Sequence, residues 1–353
     1  MKFHYALSII IFVAALAGCK QDLNLAAPYK EETVVYALLN QQDKYPAYHY
    51  VRIEKGYLLN GNAFVAAGVS DSIYYPDILN VQLKAYPSGV VYNLTRVDGN
   101  TLNPPLPKDS GAFANTPNYL YTFKDADAAH PLSPNQTYTL QITNTTNGKV
   151  VTAQTGLVYP FSIYTPVYGQ PINLSNSSPF VIRWATAQNA GVYDLTVRFF
   201  YKEYATSDNT LLKDTFIDMP AFRSLISSYS SSSTFGQNFL EQSLMNFLSN
   251  NLAKSPSVYR EFNFKKGMQF KFSAGGLDLA SFLSSQQAQN TGITSSDALP
   301  PYTNINGGVG LFSSRYYEEV DSVLLSSPGL DSLACGSFSG GLRFKNSSGN
   351  ICD

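Results

Sequence analysis

Residues 137–143 read "TYTLQIT". Tyr138, Leu140 and Ile142 alternate with Thr137, Thr139, Gln141 and Thr143, the period-two pattern of a strand with one buried face. Just beyond, Asn147-Gly148 is a strong hairpin turn signal, and "GKVVTAQT" (148–155) supplies the return strand. The same alternation recurs upstream. "YHYVRIEKG" (48–56) sets His49, Val51 and Ile53 on one face and Tyr48, Tyr50, Arg52 and Glu54 on the other. "NVQLKAY" (80–86) groups Val81, Leu83 and Ala85, and "YLYTF" (119–123) groups Tyr119, Tyr121 and Phe123. "ETVVYALLN" (32–40) reads as the first strand. Short strands with regular turn signals predict a β-sandwich, placed over 31–157.

A second unit is predicted over 158–325. Within "PFVIRWATAQNAGVYDLTVRFFYKEY" (179–204), Trp184 precedes a strand that puts Tyr193, Leu195, Val197 and Phe199 on one face. Tryptophan on one strand and tyrosine on the next is a sandwich-core arrangement, so this unit too is expected to be Ig-like or fibronectin-like. The serine-rich segment 227–233 reads as a loop. Phe235, Phe239, Leu240, Leu244, Phe247, Leu248 and Leu252 then recur at helical spacing, predicting a helix near 235–253. "YREFNFKKGMQFKF" (259–272) returns to strand alternation, as a hairpin around Lys266-Gly267, and "LDLASFLSSQQAQ" (277–289) reads as a second, shorter helix. The tail, 326–353, reads as loop-like. The fold class expected is mostly β: two Ig-like/fibronectin-like β-sandwich domains, the second with helical insertions.

Composition narrows the partners. With 24 basic and 25 acidic residues and no basic patch, nucleic acid is not an expected partner. Charged residues make up 14%, against a typical value of about 25%, while 25 tyrosines and 22 phenylalanines suit β structure.

The N-terminus carries an address. Lys2 precedes an apolar run from Ala6 to Leu16, interrupted only by Ser8. That is signal-peptide length and too short to span a bilayer as a helix. Leu16-Ala17-Gly18-Cys19 then resembles the bacterial lipobox. The resemblance implies a lipoprotein signal peptide over 1–18, acylation of Cys19, a tether over 19–30 and a membrane anchor held by several acyl chains. The bland alternative is an ordinary secretory peptide with an incidental cysteine. Lys20-Gln21-Asp22 resembles the surface-export signal of Bacteroidota lipoproteins, which implies the cell surface of the outer membrane; its periplasmic face is the alternative. Cys335 and Cys352 remain. In an oxidising compartment they are expected to pair, and two cysteines alone make a poor zinc site.

Taken in order, the lipobox cysteine, "VVYALLN" (34–40), "TYTLQITNTTNGKVVTAQT" (137–155) and "YTNINGGVGLFSS" (302–314) resemble a family of Bacteroidota outer-membrane lipoproteins. The pattern from Asn304 to Phe312, with Gly307, Gly308 and Gly310, is the most specific part. Members are often encoded near TonB-dependent receptors, and no catalytic residues carry over. Family members tend to close on a cysteine, a glycine-rich stretch and a tryptophan; here no tryptophan follows Cys335.

Chemistry-bearing residues are few. His49 shares a face with Val51 and Ile53 and reads as a core histidine; His130 reads as a loop residue. Asp125 and Asp127 have the spacing of a calcium pair without an EF-hand loop around them. Glu318 and Glu319 are adjacent and so point to opposite faces of a strand, which argues against a glycosidase pair. Gly307, Gly308 and Gly310 lack the Lys-Ser/Thr of a phosphate loop and read as a structural turn. Ser72, Ser322 and Ser332 each follow an aspartate and precede an aliphatic residue, resembling Bacteroidota O-glycosylation sites. No catalytic residue, metal or cofactor is expected. The leading expectation is a non-enzymatic, lipid-anchored envelope protein, an accessory binding or assembly subunit of a TonB-dependent transporter. The alternatives are a carboxylate-based surface hydrolase and a structural or adhesive spacer.

Overall fold

The computed structural model describes residues 32–41, 48–56, 63–124, 131–174, 179–226, 234–290 and 302–352. The first strands are β1 (Glu32–Asn40), β2 (Tyr48–Gly56), β3 (Leu79–Tyr86), β4 (Val91–Asp98), β5 (Tyr119–Lys124), β6 (Thr137–Asn144) and β7 (Val150–Gly156). Then come β8 (Ile163–Thr165), β9 (Pro171–Ile172), β10 (Phe180–Ala185), β11 (Ala190–Ala205), β12 (Leu211–Ile226) and β13 (Thr234–Phe239). The last are β14 (Val258–Phe262), β15 (Met268–Gly276), β16 (Ile305–Asn306) and β17 (Val309–Leu325). The helices are α1 (Ala63–Ala67), α2 (Ser70–Ile73), α3 (Glu241–Asn251), α4 (Leu277–Asn290) and α5 (Ser327–Cys335). The protein is mostly β. None of the described helices is long and apolar enough to cross a membrane.

One 14-stranded mixed sheet runs β12-β11-β15-β17-β1-β2-β5-β4-β3-β6-β7-β16, with β14 beside β11 and β9 beside β17; β13-β10-β8 form a second sheet. The first half of the large sheet curls round its own core. β4 makes the bend: residues 91–94 pair with β3 and residues 95–98 with β5. Val35, Leu39, Val51, Ile53, Leu83, Tyr138, Leu140 and Phe312 meet inside. The ring closes at the glycine-rich turn, where β16 pairs with β7 and β17 with β1, the latter in parallel from Val34↔Val309 to Asn40↔Arg315.

Glycine is required there. Gly307 and Gly310 have φ of 82° and 118°, in the region that side chains rarely adopt. A Cβ on Gly308 or Gly310 would lie well inside contact distance of the Thr33 or Val35 carbonyl oxygen.

The second core collects Trp184, Tyr193, Leu195, Val197, Phe199, Phe270 and Phe272 with Leu244 and Leu248 of α3. Trp184 lies 5.1 Å from Phe235 and 5.2 Å from Phe272, ring centroid to centroid. On the opposite face of the sheet α4 packs onto glycine. A Cβ at Gly191 or Gly275 would come within 2.7 Å of Ala280 or Leu279.

Three local expectations are corrected. Residues 235–239 are a strand, with Phe235 opposite Trp184 and Phe239 opposite Phe180; the helix starts at Glu241. A spacing of four residues fits period two as well as a helical face. Second, β14 and β15 do not pair with each other. Both pair with β11, at Tyr201↔Phe262 and Val197↔Phe270. The turn at 263–267 is a detour along one edge, in which Phe200 N donates to Gly267 O and Asn263 N to Phe200 O. Third, the tail is not loop-like. The Ser326 hydroxyl accepts from Gly329 N at the start of α5, and Leu330, Leu333 and Ala334 are buried. Glycine, proline and serine in so short a helix hide its periodicity.

The tail is clamped. Cys335 and Cys352 are joined, closing a loop worth about 3 kcal/mol by chain entropy. Arg260 is 3% exposed. Its Nε donates to Glu203 Oε1 at 3.0 Å, Nη1 to Leu342 O at 2.8 Å and Nη2 to Ala253 O at 2.8 Å. Lys213 Nζ lies 3.1 Å from Glu203 Oε2. Burial alone would raise the Glu203 pKa, but hydrogen bonds from Lys213 and Arg260 outweigh it and hold the carboxyl below its ordinary value.

Gly310→Ala is expected to cost more than about 4 kcal/mol, or to abolish folding. Gly349→Ala, also at positive φ but with nothing within 4 Å, is expected to cost about 1 kcal/mol. Urea denaturation followed by circular dichroism checks the pair; similar costs would refute the close-approach account.

Glu203→Gln is expected to cost about 3 kcal/mol near neutral pH, because it leaves Arg260 buried without its counter-charge. The stabilisation is full above the unfolded carboxyl pKa of about 4.3 and fades as pH falls through the depressed folded value. Urea midpoints of wild type and variant should therefore converge in acid.

Candidate functional site

A strand has two faces, and in β1 and β2 only one serves the core. Tyr36 and Leu38 of β1, with Tyr50 and Arg52 of β2, face away from it. Tyr36 stands opposite Arg52, and Val34 opposite Glu54. Over this outer face lie α1, α2 and the segment 99–118. Two adjoining cavities open between them, and Tyr36 lines both.

The first cavity, about 360 Å³, is lined by Tyr36, Leu38, Tyr50, Arg52, Asn118 and Arg315 among others. Arg52 Nη1 donates to Glu54 Oε1 at 3.3 Å and to Tyr74 OH at 3.4 Å. Burial pushes the Tyr74 phenol up, against the pull of the Arg52 charge. Lys108 Nζ takes Glu54 Oε1 at 2.9 Å, so Glu54 is neutralised twice over. Asn118, 1% exposed, donates Nδ2 to Leu106 O at 2.7 Å. Its Oδ1 is buried without a donor. Arg315 extends from β17, level with Asn40 of β1. Its guanidinium lies 5.2 Å from the Tyr317 ring, its Nε is buried without an acceptor, and no described carboxylate pairs with it.

The second cavity, about 520 Å³, is mostly apolar. Val34, Phe64, Ala67, Ile73 and Phe113 line it, with Glu54 the single carboxylate and Lys55 the single cation. Phe64 is 75% and Phe113 54% exposed. Along β1 the wall runs from Arg315 to a more apolar end at Phe64, where Lys55 also lines the cavity and Lys108 Nζ lies 5.2 Å from the Phe113 ring.

The residues singled out by sequence lie elsewhere. Cys19, Asp125, Asp127 and His130 fall outside the described residues. His49 is buried at 2% exposure and stacks on Phe123, though it also lines the first cavity. Ser72 sits in α2, Ser322 in β17 and Ser332 in α5, all half-buried. Glu319 is exposed and accepts from Gln269 Nε2; neither it nor Glu318 lines the two cavities. Among the described residues no group of three His, Cys, Asp or Glu side chains could hold a metal. Tyr36, Arg52, Asn118 and Arg315 were not legible as a site. The one available signal was the polar and aromatic outer face of "YHYVRIEKG".

Asn304 of the glycine-rich segment has a structural task. Its Nδ2 donates to Phe312 O at 2.7 Å and its Oδ1 accepts from Phe312 N at 3.0 Å. One side chain thus plays the part of a strand across the turn that joins β16 to β17. No protein-family model matches the chain, and no curated protein matches it in sequence.

Asn304→Asp keeps the acceptor but turns the donor into a charge facing Phe312 O. It is expected to cost about 2 kcal/mol, no less than Asn304→Ala, by thermal unfolding. A neutral result would mean that the glycines alone hold the turn.

Proposed function

We propose that the chain is a lipid-anchored cell-envelope protein that binds a ligand without transforming it, as an accessory subunit of an outer-membrane transporter of the TonB-dependent kind. The observation that carries this reading is Leu16-Ala17-Gly18-Cys19 directly after the apolar run. The walls of the two cavities add to it. They combine aromatic rings and arginines with a single, doubly paired carboxylate, a set suited to holding a ligand and poor in acid–base chemistry. We read the two cores as two Ig-like sandwich units, the second carrying α3 and α4. The support is that each core has its own set of side chains, with Ile305 and Phe312 the late residues that enter the first.

The test is metabolic labelling with an alkynyl fatty acid. The wild type is expected to take up label and pellet with the membrane, and Cys19→Ala to do neither. Label retained by Cys19→Ala overturns the anchor. Protease shaving of intact cells then decides the side: cleavage supports the cell surface, and protection until lysis overturns it in favour of the periplasmic face. A transporter crosslinked in living cells supports the accessory role, and its repeated absence refutes it.

A further inference from the structure

We propose that the two adjoining cavities form one binding site for an anionic amphiphile. Its acidic head sits between Arg315 and Arg52, a hydrogen-bond donor follows the head, and a single apolar chain runs past Tyr36 to Phe64 and Phe113. This rests on the binding role proposed above and names the ligand's chemistry.

Arg315 carries the head. Two other arginines face carboxylates: Arg198 makes two hydrogen bonds to Asp218, at 2.7 and 2.8 Å, and Arg260 holds Glu203. Arg315 is half-buried, its Nε has no acceptor, and among the described residues no acid pairs with it. A charge taken from water without a partner is costly, and a guanidinium fork matches an oxyanion. Arg52 adds a second guanidinium to the same cavity. Its neighbour Glu54 does not cancel it, because Lys108 shares that carboxylate.

Asn118 sets the middle of the ligand. Its Oδ1 is a buried acceptor in the cavity wall with no protein donor. An anionic head cannot satisfy it; an N–H or O–H just behind the head can. Phe64 and Phe113 set the far end. They are exposed apolar rings over a cavity of about 520 Å³, and a chain laid there removes both from water. Order along the strand gives polarity. From Asn40, level with Arg315, to Val34 in the apolar cavity is six residues, about 20 Å at 3.3 Å per residue. N-acyl amino acids have this layout: carboxylate, amide N–H, hydrocarbon.

The probe is N-decanoylglycine, titrated by calorimetry into the full chain carrying Cys19→Ala, which removes acyl chains of its own. Saturable binding is expected. The methyl ester, which lacks the charge, and N-acetylglycine, which lacks the chain, should each bind at least about tenfold more weakly. Arg315→Gln should weaken the acid about tenfold and leave the ester unchanged. Phe64→Ala should weaken both. Neither substitution touches a core contact, so unchanged circular dichroism is expected. Ester and acid binding equally, or Arg315→Gln without effect, overturns the proposal, as does the absence of saturable binding. Each of those failures leaves the fatty-acid labelling result standing, so loss of this ligand class is distinct from loss of the anchor.

Discussion

The parallel pairing of β1 with β17 is the contact on which the rest of the structure depends. It sets the first described strand against the last long one and so couples the two ends of the described chain. Without it the first core has an open seam between β1 and β7, and the second has no strand joining it to the first. β17 serves both cores in turn: Phe312 faces the first, Tyr316 and Val323 the second. A pairing so distant in sequence forms late and slowly, because loop closure precedes the gain from contact. Glycine at 308 and 310 is the condition for it, since the backbones approach where no side chain fits.

The tail shows a second way of closing the fold. A buried ion pair is weak evidence of stability by itself, because desolvation offsets attraction. Arg260 differs from an isolated pair in its number of partners. Its guanidinium satisfies Glu203 and two carbonyls, while its backbone N donates to Arg343 O and its backbone O accepts from Lys345 N. The residue therefore fixes four segments at once: β14, β11, the end of α3 and the tail. Hydrophobic packing at Leu333, Leu342 and Phe344, none measurably exposed, finishes a register that the arginine specifies.

Much of the β architecture was legible in the sequence because a half-buried strand shows its period in its own residues. "TYTLQIT" and the Asn147-Gly148 turn reappear as the β6–β7 hairpin, with Gly148 at φ 72°. What failed was information that is not local. Phe235 and Phe239 fit a helix and a strand equally, and Trp184 across the sheet decides between them. The segment 259–272 alternates as a hairpin should, but which edge its strands join depends on the length of β11. The candidate site was less legible still. Arg315 follows a segment read only for its glycines, and Asn118 lies just before β5, outside any strand. Their meeting depends on a sheet that brings residues 36, 52, 118 and 315 together.

Those residues also concentrate unmet polar groups beside one cavity. Elsewhere in the described chain Asn304 is partnered by Phe312, Glu203 by Arg260 and Tyr193 OH by Ala187 N, while Trp184 Nε1 and Tyr121 OH are buried without a hydrogen bond inside the cores. In the outer cavity an arginine lacks an acid among the described residues and an asparagine oxygen lacks a donor, and Phe64 and Phe113 expose apolar surface at the other end of the wall. Each costs free energy in the protein alone, and a sequence that specifies its fold consistently is expected to spend such costs at a functional site. Departures of opposite polarity at the two ends of one groove have a single remedy, a ligand polarised in the same sense. That correspondence makes the outer face of β1 and β2, rather than either core, the part of the molecule where function is to be sought.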